Sequence, residues 1–429
     1  MLRALLIGSL VLPSVAVAAN PTFNKDIAPI LFKHCANCHR PNDIGPFSLL
    51  TYADAKKRAK QVAHITAQRT MPPWMPHATW GEFKYTRTLS AEQIALFQKW
   101  ADTGMTEGLA KDLPPTPQFK DGWQLGQPDL ILKMDKPFTV PAEGRDVYHH
   151  FVFPLNLPKD TYLKGIEVLP GNRRVAHHAV GILDTGGTAR RLAQKHDGAG
   201  YPSITPGFLP AGFTPGYAPG QGANLFGADE ALTLKKGTDF VLQMHYSPTG
   251  KEETDQTQVG LYFTKTPPKR NIGLMMLGSV DIDIPPGDRA YTRTDTFKVP
   301  VDFEVRNIWA HMHLIGKEVK VWAELPDGKQ KSLLWINDWN FNWQESYQYT
   351  KPFILPKNTL VKAKFVWDNS ADNPRNPHQP PQRVRNGEQS ADEMGGLIVG
   401  GRTVYPWDEL GLWGGVIGHY FEIESKKKR

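Results

Sequence analysis

The sequence predicts a multidomain protein in which a small all-α domain precedes two all-β sandwich domains of jelly-roll type. Three observations carry this. At 429 residues the chain is longer than one hydrophobic core usually serves. Helical periodicity with capping signals is confined to its first part. Beyond a proline-rich linker, strand-like runs alternate with Gly, Pro, Asn and Asp, and few stretches keep a helical period.

Composition is that of an ordinary globular chain, and its net charge of +7 is spread along the sequence apart from Lys426-Lys427-Lys428-Arg429. That run reads as a solvated tail, and nucleic acid is not an expected partner. Residues 1–19 combine Arg3, an apolar run from Ala4 to Val17 and the small residues Ala16-Val17-Ala18-Ala19. This is the pattern of a secretory signal, too short to span a bilayer. The mature chain is expected to begin near Asn20 in the periplasm or outside the cell. No cysteine follows the apolar run to carry a lipid, and no later stretch is expected to cross a membrane.

The only two cysteines lie in Cys35-Ala36-Asn37-Cys38-His39. C-x-x-C-H is the attachment signature of a c-type haem, with two thioether tethers and His39 as proximal iron ligand. A redox disulfide does not require the histidine, and a zinc cage lacks its second cysteine pair. Residues 20–106 are therefore expected to form a small all-α cytochrome c domain. Ile27, Ile30 and Leu31 recur at helical spacing before the motif. A second helix starts at Ser90, where S-A-E-Q makes a capping box, and buries Ile94, Phe97 and Ala101. Met71 in R-T-M-P-P-W-M-P is the choice for distal ligand, with Met75, His64 and His77 as competitors. This stretch resembles cytochrome c domains with an M-P-P-W distal loop. A Met/His haem carries electrons.

Residues 107–128, with Leu113-Pro114-Pro115-Thr116-Pro117, read as a linker. Two β domains follow, at 129–265 and 266–429. The Gly- and Pro-rich stretch 185–229 is expected to be a long ordered loop over one face.

Two histidine motifs stand out in the β region. His311 and His313 in H-M-H point to the same face of a strand and reach one ion together, with Met312 turned away. Met394, in the polar stretch Ser390-Ala391-Asp392-Glu393-Met394, offers a thioether as third ligand. His177-His178 has His245 as its third ligand, but adjacent residues on a regular strand face opposite ways, so this pair requires a bulge or a strand end. His149-His150 is a rival pair inside an uninterrupted strand-like run. Imidazole suits copper, zinc, iron and nickel, and a thioether shifts the choice toward copper. A blue copper centre needs a thiolate, and haem takes both thiols; a thioether is unusual on zinc. Trp339, Phe341 and Trp343, alternating with Asn340 and Asn342, read as a strand with one aromatic face, for core packing or as a substrate platform.

The order H-H, H-Y-x-P-x-G, H-x-H and S-x-D-E-M over about residues 125–425, with Phe341-Asn342-Trp343-Gln344 and Asp368-Asn369-Ser370-Ala371-Asp372-Asn373-Pro374, resembles the copper type II, ascorbate-dependent monooxygenases. This is the family of peptidylglycine α-hydroxylating and dopamine β-monooxygenases, here in a bacterial form with an N-terminal cytochrome c domain. The resemblance implies two copper ions beside one covalently bound haem c. His177, His178 and His245 would hold the electron-transfer copper, and His311, His313 and Met394 the copper that activates oxygen. It further implies O2, a small organic or peptide-like substrate, and an external donor, either an ascorbate-like reductant or a periplasmic redox protein. One departure is Gly395, where the family often has cysteine; another is the lack of cysteines for the disulfides of the animal enzymes. The rival expectations are a periplasmic haem and copper electron-transfer or copper-binding protein without hydroxylase activity, and an oxidase that only reduces oxygen.

Overall fold

The computed structural model describes residues 20–426 except 42, 121, 197, 221 and 228. The expected signal segment and the last three residues of the basic run lie outside the described residues. The chain divides into two compact units. One comprises the residues through Pro72 and Thr88–Pro117; the other comprises Pro73–Arg87 and Gln118–Arg429.

In the first unit a π-helical turn, Phe23–Ile27, leads into α1 (Ala28–His34), which is followed by α2 (Tyr52–Ala67) and α3 (Ala91–Asp102). The Thr51 hydroxyl caps α2 by accepting from the Asp54 amide at 3.1 Å. Ser90 and Gln93 cap α3 reciprocally, which satisfies two amides that a helix start leaves open. Phe23, Ile27, Leu31, Phe97 and Trp100 close the core.

These local helix signals did not add up to the class the sequence predicts. The expected small all-α cytochrome c domain followed by two jelly-roll-like domains is corrected. The protein consists mostly of β-sandwich-like sheets with five α-helices among the described residues, and no N-terminal all-α cytochrome domain is evident. The first α-helix spans only seven residues, and the stretches 35–51 and 68–90 around the haem motif and the M-P-P-W loop are almost wholly turn and irregular chain. Capping and periodicity report single helices, whose assembly into a domain class is a tertiary property.

The second unit holds two β lobes. In the N-terminal lobe a six-stranded sheet faces a five-stranded one; in the C-terminal lobe two four-stranded sheets face each other. Strand Asp239–Tyr246 is central in the five-stranded sheet, between Val147–Pro154 and Ala176–Asp184, and all eight of its residues are buried. Its outer side is covered by stretch 185–229, which contains α4 (Thr188–Ala193) and the edge strands Gly200–Pro202 and Gly212–Tyr217. In the C-terminal lobe Phe303–Met312 lies between Gly395–Thr403 and Tyr347–Leu355, with alternating burial along much of its length. The dipeptide Arg270-Asn271 still pairs with Glu230-Ala231 of the N-terminal lobe, so the lobes part just after it.

Two features join these pieces within the second unit. Buried Glu230 of the N-terminal lobe receives Arg306 at 2.9 Å and Arg402 at 2.8 Å from the C-terminal lobe. Segment Pro73–Arg87 packs Trp74 and Met75 on the C-terminal core, and its His77 amide donates to the Trp335 carbonyl at 2.7 Å. The final helix α5 (Glu409–Ser425) buries Leu412, Val416 and Ile423 and bonds His419 to Asp295 at 2.8 Å. No helix among the described residues is long and apolar enough to cross a membrane.

The strand that carries His245 is anchored at its far end by Arg190, whose guanidinium donates twice, at 2.6 Å each, to the fully buried carboxylate of Asp239. Arg190→Ala leaves that carboxylate unpaired. It should lower stability by about 1–3 kcal/mol, less than for a fully buried pair because the Arg190 side chain is 41% exposed, read as an earlier unfolding transition of the β unit in urea.

Candidate metal centre

The adjacent pair His177-His178 meets its geometric requirement through a bulge. The ladder between Ala176–Asp184 and Asp239–Tyr246 pairs His178 with His245, then shifts so that Tyr246 pairs with Ala176. His177 is the extra residue, and the bulge turns its ring to the side of its neighbour's. The Nδ1 atoms of His177 and His178 stand 3.1 Å apart, and those of His178 and His245 stand 3.3 Å apart. Two nitrogens bound to one ion at about 2.0–2.1 Å in tetrahedral geometry would be separated by about 3.3 Å. The three side chains have ligand atoms within 4.8 Å of one another. Burial, reinforced by the other rings, pushes the His177 imidazole down to about 3 and that of His178 well below its usual value, so both rings are neutral lone-pair donors.

His311 and His313 project to one side of Phe303–Met312 and its end, while Met312 between them is fully buried in the core. Their ring centroids are 5.0 Å apart. Each ring has its Nδ1 engaged, His311 with Gln344 Oε1 and His313 with the Asp392 carbonyl at 3.2 Å. The free lone pair is thereby assigned to Nε2, and His313 Nε2 is buried without a partner. Burial holds these imidazoles down too, at about 3 and about 4. The ladder pairs His311 with Gly396 and Met312 with Gly395, which brings half-buried Met394 alongside the end of the H-x-H segment.

Glu393 locks that arrangement. Its buried carboxylate accepts from the amides of His313 (2.9 Å), Ile315 (2.8 Å) and Met394 (3.2 Å) and from the Trp367 indole (2.8 Å). Burial pushes it up to about 8 against the pull of these four donors. The sequence signalled it only as the neighbour of a ligand.

The two histidine groups adjoin. The rings of His178 and His311 lie 6.1 Å apart, and Phe341 stacks on His177 at 4.5 Å while sitting 5.9 Å from His313. This corrects the aromatic-strand expectation. Residues 337–346 are irregular because the Asn340 side chain accepts from the Asn342 amide and its carbonyl from the Trp343 amide, both turn contacts. Trp339 instead donates its indole to the His313 carbonyl at 3.1 Å. The rival pair takes another role, with buried His150 stacked on Tyr201 at 4.8 Å and His149 packed on Phe138 and Phe151.

In the first unit Cys35 and Cys38 are not joined in a disulfide, and Cys35 caps α1. His39 Nδ1 is engaged by the Phe47 carbonyl at 3.2 Å, which leaves Nε2 as the nitrogen that could hold a metal. Gly45 lets the chain close over the motif, since a Cβ there would stand 2.6 Å from the Cys38 carbonyl oxygen. Half-buried Met71 follows α2, and His64 is exposed on that helix. Met75 and His77 are engaged in the second unit: Met75 Sδ accepts from the Asn340 amide at 3.3 Å, and His77 packs on Trp335.

No protein-family model matches the chain, and no characterised protein sequence does. Among solved structures, the PBSX exported protein XepA aligns at 9% identity over 56% of this chain and 86% of its own, with a TM-score of 0.17. The infectious bursal disease virus Gx strain aligns at 9% identity over 64% and 75%, also with a TM-score of 0.17. Likenesses this weak carry no argument about fold or function.

Gly395, beside Met394, sits in tight surroundings. A Cβ there would meet Trp367 at 3.1 Å and Phe365 at 3.2 Å. Gly395→Ala should therefore destabilise by about 1–3 kcal/mol, measured as a lower thermal midpoint. An unchanged or higher midpoint would show that the aromatic pair yields without cost.

Proposed function

We propose that the protein is a copper-dependent monooxygenase related to the copper type II, ascorbate-dependent class, acting in the periplasm or outside the cell. It hydroxylates a C–H bond of an organic substrate: R–H + O2 + 2 e⁻ + 2 H⁺ → R–OH + H2O. The observation that carries the reading is the pair of adjoining, largely buried histidine groups, one with three converging Nδ1 atoms and one with both Nδ1 atoms already engaged. Bound copper would supply one-electron storage and oxygen activation.

The chain's own residues do the rest. His177, His178 and His245 would hold one ion as an all-nitrogen set, which suits electron delivery. His311, His313 and Met394 would hold the other, with the soft thioether favouring reduced copper. Gln344 and the Asp392 carbonyl fix which nitrogen of each imidazole faces the metal. Phe341 and Trp309 exclude water from the space beside the rings, with Trp309 stacked on His311 at 5.5 Å. Haem tethered at Cys35 and Cys38 and ligated by His39, with Met71 as sixth ligand, would relay electrons from an ascorbate-like reductant or a redox protein. One haem holds one electron, so each turnover would need two reductions.

The test is metal and haem stoichiometry on protein matured in a periplasm, followed by oxygen uptake and product analysis across a substrate panel. One haem and two coppers are expected, falling to about one copper in His311→Ala, with hydroxylated product formed in step with oxygen uptake. Zinc in place of copper would overturn the reading. Copper binding and haem cycling without substrate-dependent oxygen uptake would leave an electron-transfer protein, and peroxide as the sole product would leave an oxidase.

A further inference from the structure

One carboxylate links the two histidine groups, facing His245 directly and reaching the second group only through Ser390. Asp146 precedes strand Val147–Pro154, and its Oδ2 lies 3.6 Å, just beyond hydrogen-bond distance, from Nε2 of His245, a buried ring atom with no hydrogen-bond partner among the described residues and opposite the Nδ1 that faces His178. The same oxygen accepts from the Ser390 amide at 3.3 Å and from the Ser390 hydroxyl. Ser390 opens the segment that ends in Met394. That segment supplies the Asp392 carbonyl to His313 Nδ1 and the Glu393 carboxylate to the amides of His313 and Ile315. The Asp146 side chain is only 13% exposed, and His245 is fully buried, so little water screens the pair.

A carboxylate on the outer nitrogen of a ligating imidazole holds the proton there, frees the inner lone pair and makes it a stronger donor. Here the carboxylate comes from one β lobe while its second partner, Ser390, belongs to the other. We propose that Asp146 is a positioning residue serving both sites: it sets the tautomer and donor strength of His245 and, through Ser390, keeps the His313–Met394 segment in place beside the triad. This inference rests on the copper reading above.

Two substitutions separate the roles. Asp146→Asn keeps an oxygen that accepts from Ser390 but removes the charge beside His245. Ser390→Ala removes the hydroxyl bond to the segment, leaving only the long amide contact, and leaves the charge. Both are made in the full chain, with Cu(II) affinity measured by chelator competition and the copper potentials by redox titration followed by electron paramagnetic resonance. In Asp146→Asn the Cu(II) affinity of the triad should fall about 10- to 100-fold, and its potential should rise. Asp146→Glu, which keeps the charge, should recover most of both. Ser390→Ala should leave the triad unchanged and weaken the second copper. Wild-type affinity and potential at the triad in Asp146→Asn would overturn the inference. So would identical effects of Asp146→Asn and Ser390→Ala, since a plain brace behaves that way. If the unsubstituted chain holds no copper, the copper reading itself falls and takes this inference with it, an outcome read before any variant is made.

Discussion

The bulge opposite Tyr246 is the constraint on which the histidine cluster depends. A regular ladder would send His177 and His178 to opposite faces, one into the sandwich core and one away from it. Inserting one unpaired residue turns both toward His245 without breaking the sheet, since the strand beyond keeps its register with Asp239–Tyr246 to the Arg190 anchor. The site therefore inherits the rigidity of the most buried strand in the lobe. Only the local ladder at His177 is disrupted, which matches the usual place of bulges near functional residues.

The two groups solve the same problem by different means. The triad gathers its imidazoles from a bulge and a neighbouring strand, so sheet geometry fixes the spacing. The H-x-H group uses the two-residue repeat of a strand, which is simpler but leaves each ring free to rotate. Gln344, the Asp392 carbonyl and the four-donor carboxylate of Glu393 remove that freedom. A buried carboxylate that orders three backbone amides is costly to desolvate, and the hydrogen bonds offset that cost only while the segment stays in place. The Glu393 network thus makes the position of Met394 cooperative with that of His313.

Much of this was legible in the sequence because it is local. The need for a bulge follows from two adjacent histidines, the shared face of His311 and His313 from their spacing, and the capping box of α3 from S-A-E-Q. What escaped is set by distant partners. Asp146 meets Ser390 across 244 residues, and nothing near Asp146 announces it. Phe341 was read by alternation as part of a strand, whereas the flanking asparagines bend the chain and deliver the ring between the histidines. The all-α domain was an over-reading of correct local signals. Helices of the predicted kind exist around Cys35–His39, but the intervening chain is irregular, and periodicity has no means of reporting that.

The excursion Pro73–Arg87 gives the molecule an unusual connectivity. The backbone passes between the two units at Pro72–Pro73, at Arg87–Thr88 and at Pro117–Gln118. The first unit is thus not a bead on a string that a single cut would release. An N-terminal truncation made at the proline-rich stretch would also strip Trp74, Met75 and Phe83 from the surface of the second unit, uncovering Trp335, Tyr347 and Tyr349. Three backbone connections therefore tie the two units, and neither can be excised as one continuous segment.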